Sequence, residues 1–134
     1  MYPFGKKSLE VRSQLHPDLQ KVVDEASKTF NFSLICGHRN KEDQNKAFAE
    51  GNSKAQWPNS RHNSTPAEAC DVAPYEKTGV PWKDLYRFAR LMGHIEAAAV
   101  RVGVEIELGM DWDMDGNTIE HNFKDFPHFQ LKKK

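Results

Sequence analysis

The sequence predicts an α+β fold in which a small antiparallel sheet packs against helices, within one domain that spans residues 1–134. Two observations predict this class. Apolar residues mark the elements in the order helix, strand, helix, strand, long helix, strand, strand. The chain has 134 residues, of which 38% are hydrophobic and 28% charged, which suits one compact domain with a modest core.

The first predicted helix covers residues 16–30. Pro17 is tolerated in a first helical turn, and Asp18 suits the positive end of the helix. The apolar residues that recur at helical spacing in this stretch are Leu19, Val22, Val23, Ala26 and Phe30. The next segment, NFSLICG, contains β-branched and aromatic residues and stops at a glycine, so it predicts a strand over residues 31–37.

A second helix is predicted over residues 40–51, capped near Asn40 and ended by Gly51. Residues 52–67 are predicted as a loop. AEACDVAP, residues 67–74, predicts a short strand on which Cys70 faces away from Asp71.

The strongest predicted helix covers residues 81–103 and stops at Gly103. Its expected buried stripe consists of Leu85, Phe88, Ala89, Met92, Ile95, Ala99 and Val102. Residues 104–109 and 127–131 predict the last two strands, with a polar loop over 111–125 between them.

The balance of charge argues against a nucleic-acid-binding domain. Lys plus Arg and Asp plus Glu both number 19, so no broad basic field attracts a polyanion. We interpret the basic end at residues 132–134 as a solvated terminus.

The two cysteines, Cys36 and Cys70, do not form a CxxC pair, which argues against a disulfide framework and a thiolate zinc site. Residues 1–15 lack the apolar core of a signal peptide, and the apolar run 94–106 is too short and too charged to span a bilayer. We therefore expect a soluble intracellular protein without stable membrane association. If its substrate lies outside the membrane, another factor must release it.

Two histidines and an aspartate form a candidate zinc site. His62 and Asp71 lie nine positions apart on a loop and the strand that follows it, and His128 lies on the last predicted strand. A catalytic zinc takes three such ligands and leaves a fourth position open. An all-oxygen calcium site would not need the histidines. Spacing alone also fits a capping aspartate and a surface histidine.

The amino-acid sequence around these residues resembles that of the zinc peptidases of the D-alanyl-D-alanine carboxypeptidase clan. SRHNSTPAEACDVAP and DFPHFQL are most similar to the phage endolysins that act as L-alanyl-D-glutamate peptidases. The residues of this sequence that match the shared pattern are Ser60, His62, Ala69, Asp71, Asp125 and His128. The segments ICGHRNKEDQNKAFAEGNSK and DWDMDG extend the resemblance over roughly residues 15–131. The sequence departs from many relatives in the longer His62–Asp71 spacing and in Asp125, where the clan's dipeptidases often have Glu.

The resemblance implies a hedgehog or D,D-peptidase-like fold and one zinc ion held by His62, Asp71 and His128. It implies that Asp125 is the general base. Arg39 would face the oxyanion or a substrate carboxylate. Ser60 and Gln44 are expected to bind the substrate, although Ser60 could instead hold the loop that carries the first histidine.

The implied protein is a monomeric hydrolase. It would cut the L-alanyl-D-glutamate bond of bacterial peptidoglycan stem peptides, and a holin would release it from the host cytoplasm to the cell wall or periplasm. A D-alanyl-D-alanine carboxypeptidase or dipeptidase of the same clan is the nearest alternative. A non-catalytic binding domain of the same fold is another, and it would have no need of a base at position 125.

Two minor alternatives are a calcium site in the acidic loop and a cysteine as an additional zinc ligand. The carboxylates of Asp111, Asp113 and Asp115 suggest a calcium loop, but the twelfth position of an EF-hand loop would be Asn122 instead of Glu. We interpret this segment as a loop that shapes the cleft, with regulation by calcium as the alternative. Cys70 as an additional zinc ligand is disfavoured because it faces away from Asp71.

Overall fold

The computed structural model describes residues 1–116 and 125–132. The helices in this part of the chain are α1 (Lys6–Ser13), α2 (Pro17–Ala26), α3 (Lys41–Ala49) and α4 (Leu85–Val102). The strands are β1 (Phe32–Cys36), β2 (Ala69–Pro74), β3 (Ile106–Leu108) and β4 (His128–Leu131).

The four strands form one antiparallel sheet in the order β1-β2-β4-β3. This arrangement confirms the predicted α+β class. The central pair β2 and β4 is in a register that places Asp71 opposite His128. Residues that face each other in an antiparallel pair have close side chains, so this register fixes two of the candidate ligands relative to each other.

The core lies between the sheet and the pair of helices α2 and α4. Leu19 and Val22 of α2 and Ile95 of α4 are fully buried, as is Phe129 of β4. Cys70 lies in the same core, as its position on β2 predicts. No helix within residues 1–116 and 125–132 is long and apolar enough to cross a membrane.

The predicted starts of α2 and α3 agree with the structure. The ring of His16 accepts a hydrogen bond from the backbone N–H of Asp18 at the start of α2. Asn40 caps α3 by accepting a hydrogen bond from the N–H of Asp43. Gly51 follows the end of α3 with a positive φ angle, a conformation that glycine adopts without strain.

The sequence prediction missed α1. In this helix Ser8 is buried while Leu9 is about half exposed, so apolar residues do not gather on one face. Without that period the sequence carries no amphipathic signal. The helix is instead held against β1, where the backbone N–H of Leu34 donates to the hydroxyl of Ser8.

The buried face of α4 also differs from the prediction. Leu85 and Ala89 are exposed, whereas Leu91 and Ala98 are buried. The helix starts at Leu85, after the Asp84 N-cap, so its first turn extends beyond the core. The buried residues Phe88, Leu91, Met92, Ile95, Ala98 and Ala99 still follow the three- and four-residue spacing of one helix face.

Part of the predicted loop over 111–125 and part of the basic end lie outside the described residues. These parts are residues 117–124, which include Asn122, and residues 133–134.

Replacing Ile95 with alanine should destabilise the protein by about 2–5 kcal/mol, because it leaves a cavity between α4 and the rest of the core. Val100→Ala is the matched control on the same helix. Val100 is 77% exposed, so its change should stay within about 0.5 kcal/mol. Urea unfolding followed by circular dichroism measures both. Equal stabilities for the two variants would contradict the assigned buried face.

Candidate metal centre

A capped turn holds His62 in place. The turn is a short 3-10 helix, Arg61–Asn63, in the loop between α3 and β2. The hydroxyl of Ser60 accepts a hydrogen bond from the N–H of His62 at 3.1 Å, and the side chain of Asn63 accepts one from the N–H of Ser60 at 3.0 Å. This reciprocal capping fixes a loop that has little regular structure. Ser60 therefore contacts the loop that carries His62.

Three candidate ligand atoms from separate parts of the chain meet in a nearly equilateral triangle. His62 Nε2 lies 3.2 Å from Asp71 Oδ1 and 3.1 Å from His128 Nδ1, and the third side, from His128 Nδ1 to Asp71 Oδ1, is 3.2 Å. Both histidines are buried, and the carboxylate of Asp71 is largely buried. The structure thus brings together the three residues that the sequence predicts as ligands.

The second nitrogen of the His62 ring is held by a backbone carbonyl. Nδ1 lies 2.7 Å from the carbonyl oxygen of Gly37. A carbonyl oxygen only accepts, so Nδ1 carries the hydrogen, and in a neutral ring Nε2 keeps a lone pair that points into the triangle. This arrangement orients the histidine as metal sites require.

A side-chain relay orients His128. Its Nε2 lies 2.9 Å from Gln130 Oε1, and the amide nitrogen of Gln130 donates to Glu107 at 3.3 Å. Because the Glu107 carboxylate only accepts, the amide nitrogen must face it and the amide oxygen must face the ring. His128 therefore donates through Nε2, which leaves Nδ1 as the atom that faces the triangle.

The charges of the three residues favour a cation at this place. Burial alone lowers the pKa of His62, but the charge and hydrogen bond of Asp71 outweigh it and raise the pKa to about 10. Burial raises the pKa of Asp71, but the two histidines lower it further, to a value well below its usual range. The site thus stabilises a positive charge beside an ionised carboxylate, whether that charge is a proton or a metal ion.

The triangle has the size that zinc requires. A tetrahedral zinc with bonds of about 2.0–2.1 Å keeps its ligand atoms about 3.3 Å apart, close to the three distances here. Two imidazoles and one carboxylate are a donor set typical of catalytic zinc. Cys36 offers a possible thiolate, but its Sγ lies 3.9 Å from His62 Nδ1, the nitrogen that is already bonded to Gly37. We therefore favour the histidine and aspartate set.

Asp125 lies beside the triangle. Its Oδ2 is 3.7 Å from His128 Nδ1, longer than the 3.1–3.2 Å sides of the triangle. Its side chain is 26% exposed, which leaves the carboxylate partly accessible to solvent. Burial and the neighbouring charge of Asp71 raise the pKa of Asp125 above its ordinary value. This position suits a group that exchanges protons next to the metal site.

Arg39 and Gln44 form a second layer on the side of Asp71. The guanidinium of Arg39 lies 3.5 Å from Asp71 Oδ2 and donates to Gln44 Oε1 at 3.0 Å. Gln44 is 0% exposed, and its amide also bonds Ser53, Ala55 and Asn63. Both polar atoms of the Gln44 side chain thus make hydrogen bonds within the protein. Gln44 thus holds one end of the Arg39 guanidinium, and the substrate contact that the sequence predicts for Gln44 stays a prediction.

The acidic segment after β3 lies near the same histidine. The ring of Trp112 packs against His128 with centroids 5.6 Å apart. Carboxylate oxygens of Asp111, Asp113 and Asp115 lie within 4.8 Å of one another, and Asp111 Oδ2 accepts a hydrogen bond from the N–H of Gly116. Trp112 of this loop thus packs beside His128. That the loop shapes a cleft stays a prediction, with regulation by calcium as its alternative.

The groups that orient the two histidines are not predicted from the sequence. The Gly37 carbonyl belongs to the backbone and has no side-chain signal. For Gln130 the available signal in the sequence is its position two residues after His128. On a strand this spacing places both side chains on the same face.

Comparisons with known proteins point to one family. The chain matches the family described as phage L-alanyl-D-glutamate peptidase over residues 1–132. It is 29% identical over 118 residues to the L-alanyl-D-glutamate peptidase of Escherichia phage T5, which covers 87% of this chain and 85% of that protein. The crystal structure of the Serratia marcescens L-Ala D-Glu endopeptidase ChiX superposes with a TM-score of 0.76 at 28% identity, covering 97% of this chain and 90% of that one.

Replacing Gln130 with leucine should weaken zinc binding by about 10- to 100-fold, because His128 loses the acceptor that fixes its ring. Gln56→Leu is the control, since Gln56 is exposed in the loop between α3 and β2 and is not part of the relay. Competition with a chromophoric chelator measures both affinities. Equal zinc affinity in the two variants would remove Gln130 from the site.

Proposed function

Because the chain belongs to the phage L-alanyl-D-glutamate peptidase family, we propose that it is an endolysin that hydrolyses the L-alanyl-D-glutamate bond of peptidoglycan stem peptides with one bound zinc ion. The chain is thus a peptidoglycan-cleaving hydrolase, as the resemblance of its motifs implies. The observation that carries the zinc proposal is the buried triangle of His62, Asp71 and His128, with Asp125 at its edge.

The proposed ligands are His62 Nε2, Asp71 Oδ1 and His128 Nδ1. When bound, zinc polarises the scissile carbonyl and lowers the pKa of a water molecule from about 15.7 to about 7. The protein holds the two rings in the required tautomer through Gly37 and Gln130, so ligand orientation does not have to be established at each turnover.

Asp125 is the proposed general base. Its Oδ2 would take a proton from the attacking water and return it to the leaving amine. The raised pKa of this carboxyl brings it closer to the value at which one group both accepts and donates efficiently. Aspartate is shorter than the glutamate of the clan's dipeptidases, so its reach depends on the backbone that carries it.

Arg39 is the proposed electrostatic stabiliser. Gln44 holds one end of the guanidinium while the other faces Asp71, and the side chain is 18% exposed. Such a fixed positive charge can stabilise the oxyanion of a tetrahedral intermediate or bind a substrate carboxylate. Fixing the guanidinium before the substrate arrives reduces the reorganisation needed during the reaction.

We propose that the enzyme acts on the cell wall as a monomer and is released from the host cytoplasm by another factor. The proposed partner is bacterial peptidoglycan, whose stem peptides carry the carboxylates that Arg39 can recognise.

Asp125→Ala should lower kcat by about 10²- to 10⁴-fold while one zinc stays bound per chain, because Asp125 is a proposed base and not a ligand. His128→Ala should lose both zinc and activity. Asp43→Ala, an exposed aspartate on α3, is the matched control. Elemental analysis gives the zinc content and release of soluble peptide from sacculi gives the rate. Full activity in Asp125→Ala would exclude the assigned base and would favour a different mechanism.

Purified sacculi treated with the enzyme should release peptides that begin with D-glutamate, and a chelator should abolish the release until zinc is restored. Mass spectrometry of the products identifies the bond that is cut. Release of D-alanine alone would instead establish a carboxypeptidase. Hydrolysis that persists after complete removal of metal would contradict the zinc proposal, and an absence of any hydrolysis would favour a binding domain.

A further inference from the structure

The turn Asp125–His128 carries both the proposed base and one proposed ligand, and backbone hydrogen bonds fix it on two sides. On one side the N–H of Asp125 donates to the carbonyl of Gly109 at 2.8 Å, and the N–H of Gly109 donates to the carbonyl of His128 at 2.8 Å. On the other, the N–H of Val72 donates to the carbonyl of Pro127 at 2.8 Å. The position of Asp125 is thus set largely by its backbone neighbours.

Gly109 follows β3 and leaves no room for a side chain. A Cβ atom at this position would lie 2.1 Å from the carbonyl oxygen of Asp125 and 3.0 Å from both its carbonyl carbon and its Cβ. That carbonyl oxygen also accepts the hydrogen bond from the N–H of His128 at 3.0 Å. A methyl group at 109 would therefore displace the base and disturb the turn that leads to the ligand.

A glycine is required at position 109 because there is no space for a side chain, and not because of the backbone conformation. Among the described glycines, the positive φ angles belong to Gly51, Gly79, Gly103 and Gly116. Alanine could therefore adopt the backbone conformation of Gly109 without strain of its own. The cost of a substitution would come only from the contact with Asp125.

An aromatic cluster supports the same turn through Phe126. The ring of Phe126 lies 5.0 Å from that of Phe88 in an edge-to-face contact and 6.4 Å from that of Trp82. Trp82 in turn stacks on Phe88, with ring centroids 5.7 Å apart and planes 14° apart. Phe88 is fully buried on α4, so the cluster connects the turn to the longest helix among the described residues.

We propose that Gly109 and Phe126 are positioning residues that set the distance between Asp125 and the metal ligands. The inference rests on the proposed function, since it assigns Asp125 as the base. Gly109 holds the turn by close backbone contact, and Phe126 holds it by packing against α4. Neither residue needs to contact the substrate. Their loss should therefore change kcat and ligand geometry more than KM.

Gly109→Ala should lower kcat by about 100-fold, the effect expected when a catalytic group is displaced by about 1 Å, and KM should change little. Gly93→Ala is the matched control, because Gly93 lies on the exposed face of α4 with nothing within 4 Å of the added methyl. A second measurement is the visible absorption spectrum of the cobalt-substituted protein, which depends on the arrangement of the ligands. It should change in Gly109→Ala and stay as in the parent in Gly93→Ala. A parent-like kcat and cobalt spectrum in folded Gly109→Ala would overturn the proposal for Gly109.

If Gly109→Ala does not fold, Phe126→Leu decides the proposal. This change removes the aromatic contacts with α4 but leaves the backbone contacts of Gly109, and kcat should fall by roughly tenfold at unchanged KM. Phe30→Leu is its control, since Phe30 packs against His94 instead of the turn. Equal kcat values for Phe126→Leu and Phe30→Leu would overturn the proposal. An inactive parent enzyme, fully loaded with zinc, would refute the proposed function itself, which separates the two failures.

Discussion

The structure depends on three buried acceptor atoms that face one another at 3.1–3.2 Å. Gly37 and Gln130 engage the outward nitrogens of the two histidines, so the inward nitrogens and Asp71 Oδ1 direct their lone pairs at one point. Such an arrangement is unfavourable in a protein interior unless a positive charge lies at its centre. The donor set and its dimensions favour zinc in this role, and the fold around it serves to keep these atoms together.

The proposed ligands come from distant parts of the chain, and hydrogen bonds made by the backbone near each ligand hold them in place. A capped turn presents His62, the register of β2 and β4 pairs Asp71 with His128, and Gly109 fixes the turn that precedes His128. Because the metal would bind only when these elements are assembled, its binding free energy adds to the stability of the fold. Stability and catalytic geometry should therefore be coupled in this protein.

The sequence allowed prediction of those parts of the site whose chemistry lies in side chains. The histidines, Asp71 and Asp125 belong to recognisable motifs, and the structure brings them together. The Gly37 carbonyl has no such signal, and the space requirement at Gly109 appears only when a distant segment packs against it. The inward direction of Gln44 likewise depends on partners in a loop that has no period.

The secondary structure follows the same rule. Helices α2 and α4 were predicted because their apolar residues recur with the helical period, whereas α1 has no buried apolar face and was missed.

The most direct test of the central claim is X-ray absorption at the zinc edge of the loaded protein. The account predicts only nitrogen and oxygen ligands at about 2.0–2.1 Å, with the outer-shell pattern of two imidazoles. A sulfur ligand at about 2.3 Å, which would implicate Cys36, or the absence of imidazole would contradict it.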